Sequence, residues 1–246
     1  MGRHIAEACR QAGCEVNVLS RRMGVDLTTR EGLDAALEAV TVIVDASNSR
    51  SQSRAKATAF FRTATANLQR AGEAAGVQRL VTISIVNVDR LNTGYYQAKL
   101  AQEAAALAGP LPATILRATQ FHEFPLQVMS RLRIGRLALV PGMRVQTVAA
   151  RAVGETIAEM VADPPASTRI DVAGPEVRDL VELARATSTR LGHGTKVLGL
   201  PVPGRLGKAM RSGALTASGD ARIAGPTFEE WLTGDDVFAV DGQLGA

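Results

Sequence analysis

Tyr95 and Lys99 are separated by three residues. In a helix that spacing is about one turn, so both side chains fall on one face. A phenol can pass a proton to or from an oxygen held within hydrogen-bond reach. Ser84 closes the apolar run that precedes them and adds a hydroxyl donor. The chain has four lysines, at 56, 99, 196 and 208, against 24 arginines. A lysine kept amid that preference points to a task that arginine's planar fork does not fit. The same spacing also arises by accident on helices, and Tyr96 can be the inward ring instead. Further along, Gln120, Phe121 and His122 follow another apolar run. His122 can protonate or orient a substrate near neutral pH, or serve as a hydrogen-bonded structural group. Phe121 lines an apolar pocket or belongs to the core.

These residues need elements to position them. Residues 3–12 read as a helix closed by Gly13, and EVNVLS (15–20) alternates like a strand. A short VDL segment follows, then a helix from Thr29 to Val40 and a strand at 41–46. The polar stretch 47–54 leads into a long helix ending near Gly76, and VQRLVTISIV (77–86) is a β-branched, buried-type strand. A helix at 95–108 and a strand at 113–118 complete the rhythm. Alternating strands and helices of this length mean βαβ units, hence an α/β, doubly wound parallel sheet. Beyond about residue 121 the pattern becomes shorter and mixed, as in a small annex, and 234–246 reads as a frayed end.

A sheet of this type binds ligands at the carboxyl ends of its strands. The candidates are therefore the polar residues after each strand: Ser20 to Arg22, Ala46 to Asn48, Ser84 to Asn87, and Ala118 to His122. Arg21 and Arg22 stand where a protein preferring NAD places an acid for the ribose hydroxyls. A guanidinium there can hold a 2′-phosphate in a bidentate contact, so NADP is expected ahead of NAD; a solvated turn is the alternative. Asp26 meets an adenine edge or caps the next segment. Asn48 bonds a ribose or phosphate, or ends its strand in a turn.

A dinucleotide-binding sheet opens with a strand, a glycine-rich turn and a helix. This sequence opens at the helix, with Gly2, followed by Arg3, where the last glycine of the turn would stand. The first strand and the earlier glycines are not in it. Met1 is then an internal residue of the glycine loop, or the chain is truncated with impaired cofactor binding, or the strand count differs.

The 246 residues are 46% hydrophobic and 21% charged, enough for a substantial core. No window reaches the ~18 apolar residues of a membrane span, and the N-terminus lacks a signal peptide's apolar stretch. A cytoplasmic protein without membrane association is expected. The net charge is +4, but the arginines are scattered and aromatics are only 4%, so nucleic-acid binding is not expected. Cys9 and Cys14 have no metal or redox spacing, and three isolated histidines (His4, His122, His193) make no metal motif. No metal is expected. A serine hydrolase is excluded because no G-x-S-x-G is present.

The segments SRR (20–22), VDLTT, IVDASN, LVTISIVNVDR, YYQAKLAQE and TILRATQFHEF resemble the NmrA-like branch of the atypical short-chain dehydrogenase/reductases. The resemblance runs from Gly2 to about Trp231 and is most specific at 80–124. It implies a Rossmann-type NAD(P)-binding domain at 1–160 and a small substrate domain at 161–246, interleaved with segments from about 121–148. It implies that Gly2, Arg3, Ser20, Arg21, Arg22, Asp26, Ala46, Ser47 and Asn48 lie along the cofactor. Lys99 would bond the nicotinamide ribose and lower the pKa of Tyr95, which would exchange a proton with a carbonyl oxygen that Ser84 also bonds. Asn87, Gln120, Phe121 and His122 would face substrate; relatives often carry glycine at the position of Asn87. The implied protein is an NADP-dependent reductase of a small carbonyl, enone or quinone-like compound, monomeric or homodimeric. The alternative within the same branch is a redox-sensing regulator that binds NAD(P) without turnover.

Overall fold

The structure, a computed structural model, describes residues 1–49, 51, 53–192, 194–234 and 237. In chain order the elements are α1 (Gly2–Gln11), α2 (Leu33–Ala36), β1 (Val42–Asp45), α3 (Arg54–Ala74), β2 (Arg79–Ile85), α4 (Gly94–Leu107) and β3 (Ala113–Ala118). They continue with α5 (Phe124–Arg131), β4 (Arg133–Ile134), β5 (Leu137–Pro141), β6 (Arg144–Val145), α6 (Ala150–Ala162) and β7 (Arg169–Ala173). The last are β8 (Arg178–Asp179), α7 (Leu180–Arg190), β9 (Lys196–Leu200), α8 (Gly204–Arg211), β10 (Arg222–Ile223) and α9 (Phe228–Thr233). Five strands make one sheet in the order β1-β2-β3-β7-β10, with β1 parallel to β2 and β7 parallel to β10. This is the Rossmann-type α/β sheet that the alternation of periods implied, and smaller mixed sheets accompany it. The chain divides into two units, residues 1–117 with 154–170, and residues 118–153 with 171–246.

The first unit is organised by its strands. Val42 to Asp45 run in register with Arg79 to Thr82. Ile43, Leu80 and Ile115 form a core with Leu33, Leu37 and Leu68 from the helical side. The i, i+3, i+4 pattern of α1 buries Ile5, Ala8 and Cys9. A Cβ on Gly154 would stand 2.8 Å from the His4 carbonyl oxygen, so only glycine lets α6 approach α1 this closely. Buried Gln69 ties α3 to the last turn of α4 and to the loop after it, donating to Ala106 O at 2.6 Å and accepting from Leu111 N at 2.8 Å.

Two sequence expectations fail here. Residues 15–20 form no strand, because no described strand lies beside them to complete a ladder. They are held by Asn17 Nδ2 donating to Ala36 O at 2.9 Å and by Leu19 packed on the core. The helix expected from Thr29 to Val40 shrinks to four residues, since Arg30, Gly32 and Ala39 all adopt positive φ and interrupt it.

In the second unit, β4, β5 and β9 form a three-stranded sheet and β6 pairs with β8. Asp179 caps α7 by accepting from Val181 N and Glu182 N. Thr227 and Glu230 form a capping box at the start of α9. The frayed end expected from 234 falls, apart from 234 and 237, outside the described residues, as does His193.

Candidate functional site

β1 and β2 are parallel neighbours, so their carboxyl ends lie side by side, and α4 rises just after β2. Thr93 starts α4 by accepting from Tyr96 N, which fixes the first turn. Tyr95, on that turn, donates its hydroxyl to Asn48 Oδ1 at 2.6 Å. The half-buried Tyr95 ring stacks edge-on against Phe61, with centroids 6.1 Å apart. Ser47 is set by a turn in which Asp45 Oδ1 accepts from Ser47 N at 2.9 Å. Ser84, on the neighbouring strand, is 4% exposed. Its hydroxyl and that of Ser47 are buried and have no partner among the described residues. An unpaired buried hydroxyl costs roughly 1–3 kcal/mol, so these two mark places where a further polar group would be welcome.

Lys99 lies one turn after Tyr95 but is directed inward. It is 5% exposed, and its ammonium donates to Ile83 O at 2.6 Å and to Gln102 Oε1. The Phe61 ring lies 4.8 Å away, a cation–π contact. These contacts engage the Lys99 ammonium within the protein. Burial pushes its pKa down to about 8, against the opposing pull of Asp45 and Glu103. Burial likewise pushes the Tyr96 phenol up to about 12, so that ring keeps its proton throughout the neutral range.

Asp45 and Gln102 were not singled out from the sequence. Gln102 Nε2 donates to Asp45 Oδ2 at 2.8 Å, which turns its Oε1 toward Lys99. The available signals were an acid at a strand's end and a glutamine three residues beyond Lys99 on one helix. Next to them, buried Glu103 and Arg117 form a two-pronged pair, Nε to Oε1 at 2.9 Å and Nη2 to Oε2 at 2.7 Å.

The remaining first-unit candidates lie at the surface or in turns. Arg21 and Arg22 form a single exposed 3-10 turn after extended Ser20, which is itself exposed. Asp26 Oδ1 accepts from Thr28 N at 2.7 Å and Thr28 Oγ1 at 2.6 Å, and these bonds hold its carboxyl below the usual range. The carboxylate thus shapes its own loop. Gly2 and Arg3 begin α1, both exposed, and Ala46 is half-buried after β1. Asn87 has φ +54, in the left-handed region where asparagine is tolerated and glycine is unstrained. Glycine would adopt that conformation without strain.

In the second unit, His122 is 1% exposed. Its Nε2 is 3.2 Å from the Pro226 carbonyl oxygen, which can only accept, so the ring proton sits on Nε2. Nδ1 then accepts from Thr147 Oγ1 at 2.8 Å. Phe228 and Trp231 pack on the ring, and burial pushes its pKa down to about 4. No ring nitrogen is left for a substrate; the ring fills core. Phe121 is half-buried and bridges to Val148 in parallel. Gln120 differs: both ends of its amide are buried without a partner.

Among the described residues, no group of three or more His, Cys, Asp or Glu side chains is placed to hold a metal. None of their helices is long and apolar enough to cross a membrane.

Residues 2–164 match the protein family described as NAD(P)H-binding. No curated protein matches the chain. Among solved structures, it resembles a short-chain dehydrogenase/reductase superfamily protein from Agrobacterium tumefaciens with bound NAD, at 17% identity and a TM-score of 0.68, over 98% of this chain and 94% of that one. It resembles UDP-N-acetylglucosamine 4-epimerase from Bacillus cereus at 15% identity and 0.70, over 97% and 92%. It also resembles triphenylmethane reductase from Citrobacter sp. complexed with NADP(H), at 16% identity and 0.60, over 91% and 85%. At these identities the likeness shows the fold.

Proposed function

The chain belongs to the NAD(P)H-binding family, and from that premise we propose an NADP-dependent oxidoreductase of the NmrA-like, atypical short-chain type. Its substrate is a small carbonyl, enone or quinone-like compound. The observation that carries this reading is the Tyr95 hydroxyl, tied to Asn48 after β1, while Ser84 on the adjacent β2 keeps a buried hydroxyl with no partner among the described residues. A neighbour complexed with NADP(H) and the exposed Arg21 and Arg22, with no acid in the turn, support the phosphate-bearing form of the cofactor.

The residues present fit a dinucleotide. Ser47 and Ser84 offer hydroxyls that lack a partner among the described residues, Asn48 is exposed just after β1, and Arg21 and Arg22 supply charge for a 2′-phosphate. When bound, the cofactor supplies a hydride. Tyr95 would release its one O–H proton from Asn48 Oδ1 to pass it to the substrate oxygen, and Ser84 would donate a hydrogen bond to the same atom. Asp45 and Gln102 hold Lys99 as a buried cation beneath this end of the sheet.

The inward Lys99 favours a second reading, a regulator that binds the cofactor without turnover. Following NADPH consumption over a panel of quinones and aldehydes separates the two. The expected result is consumption that falls by about 10²-fold or more in Tyr95→Phe, the loss typical of removing a general acid. Saturable NADPH binding without consumption on any substrate, unchanged by Tyr95→Phe, would support the regulator instead.

A further inference from the structure

The arginines of this chain look evenly scattered, but the carboxylates are not. Residues 124–154 and 183–219 contain eleven of the 28 basic residues and none of the 24 acidic ones. Those two stretches supply the whole β4-β5-β9 sheet and helix α8, all within the second unit. A part of the chain far more basic than its net charge of +4 therefore has one sheet to itself.

That sheet has two unlike faces. On one, Ala138 and Val140 are fully buried and Gly199 lies against Val181. On the other, register sets Ile134 beside Leu137, Leu139 beside Leu198, and Pro141 beside Leu200. Ile134 is 70% exposed and Leu198 50%. Exposed Lys196, register partner of Leu137, and exposed Arg136 in the β4–β5 turn border this aliphatic strip. Three residues after β9, α8 begins, carrying exposed Arg205, Lys208 and Arg211 at three-residue spacing beside exposed Leu206.

We propose that this face docks peripherally and reversibly on an anionic lipid bilayer surface. An aliphatic strip bordered by cations suits the boundary between acyl chains and negatively charged headgroups. The uniformly basic border disfavours a second copy, which would bring like charges together. Phe124 is the one aromatic residue in the two stretches, so the stacking platforms of a nucleic-acid surface are missing. The earlier expectation of no membrane association rested on the lack of a spanning segment, which peripheral docking does not need.

Flotation of the full chain with vesicles tests this, comparing phosphatidylcholine alone with an equal mixture of phosphatidylcholine and phosphatidylglycerol. The chain is expected to float with the mixed vesicles and not with the neutral ones, and to be released by raised salt. Each cation near such a surface is worth about fivefold in partitioning, so Arg136→Gln with Lys196→Gln should lower it by about an order of magnitude or more. Ile134→Ser with Leu198→Ser should lower it too. Both pairs are exposed, and unchanged circular dichroism and thermal unfolding will show that the fold is kept. Failure to float, or equal flotation with neutral vesicles, overturns the proposal. So does tighter binding to a homopolymeric RNA that the Ile134→Ser/Leu198→Ser variant retains. So does a concentration-dependent dimer in sedimentation that the same variant abolishes.

Discussion

The Tyr95 hydroxyl donates to Asn48 Oδ1 at 2.6 Å, joining the first turn of α4 to the segment after β1 across 47 residues of sequence. The bond gives the phenol a fixed direction. Its strength is measurable by a double-mutant cycle of Tyr95→Phe and Asn48→Ala in urea unfolding. A coupling of about 0.5–1.5 kcal/mol is expected for one such bond, and strictly additive effects would contradict it.

Lys99 should give the folded state a distinctive response to alkali. Its folded pKa, about 8, lies below the ordinary 10.5. Below pH 8 both states carry the proton and the buried charge costs stability. Between 8 and 10.5 the unfolded chain holds a proton that the folded chain has shed, so stability from this group rises with pH, by about 3 kcal/mol over the window. Tyr96 and Cys9, both raised by burial, act in the opposite sense at high pH. The difference between wild type and Lys99→Met isolates the lysine. That difference should grow in favour of wild type from pH 8 to 10.5, and a flat difference would contradict it.

His122 should make the protein acid-sensitive. With a folded pKa near 4 against an ordinary 6.5, the unfolded chain binds its proton first as pH falls. Stability from this group is full above pH 6.5 and is lost progressively down to about 4, by about 3 kcal/mol in all. Unfolding of wild type and His122→Gln across pH 4–7 reads this directly. The variant should lack that part of the acid slope, and parallel slopes would count against the buried neutral ring.

Asn87, at φ +54, separates backbone from side-chain effects. Asn87→Gly and Asn87→Ala both lose the amide, but only alanine meets the left-handed penalty. Alanine should be less stable than glycine by about 1 kcal/mol in denaturant unfolding. Equal stability would mean that the loop relaxes out of this conformation.

The alternation of periods made the fold legible, because β2 and β3 are short, largely buried strands carrying β-branched residues and α3 and α4 are long helices. The segment at 15–20 was misread because its alternation describes a strand only if a neighbour exists, and pairing is not written in one segment. The short α2 was misread because positive φ at Arg30 and Ala39 carries no residue signal of the kind Gly32 does. At the site, spacing brought out Tyr95, Lys99 and Ser84. It could not say which way Lys99 turns, since that depends on Asp45 and Gln102, whose bond spans 57 residues of sequence. His122 was ambiguous for the same reason: Pro226, its partner in space, lies 104 residues away.

We propose that the first unit holds a dinucleotide with its 2′-phosphate at Arg21 and Arg22. Fluorescence titration with NADPH and with NADH, on wild type and on Arg21→Gln/Arg22→Gln, tests it most directly. Saturable binding with NADPH tighter than NADH is expected, and the variant should lose that preference while still binding NADH. No saturable signal from either nucleotide, or a preference that survives loss of both arginines, would contradict it.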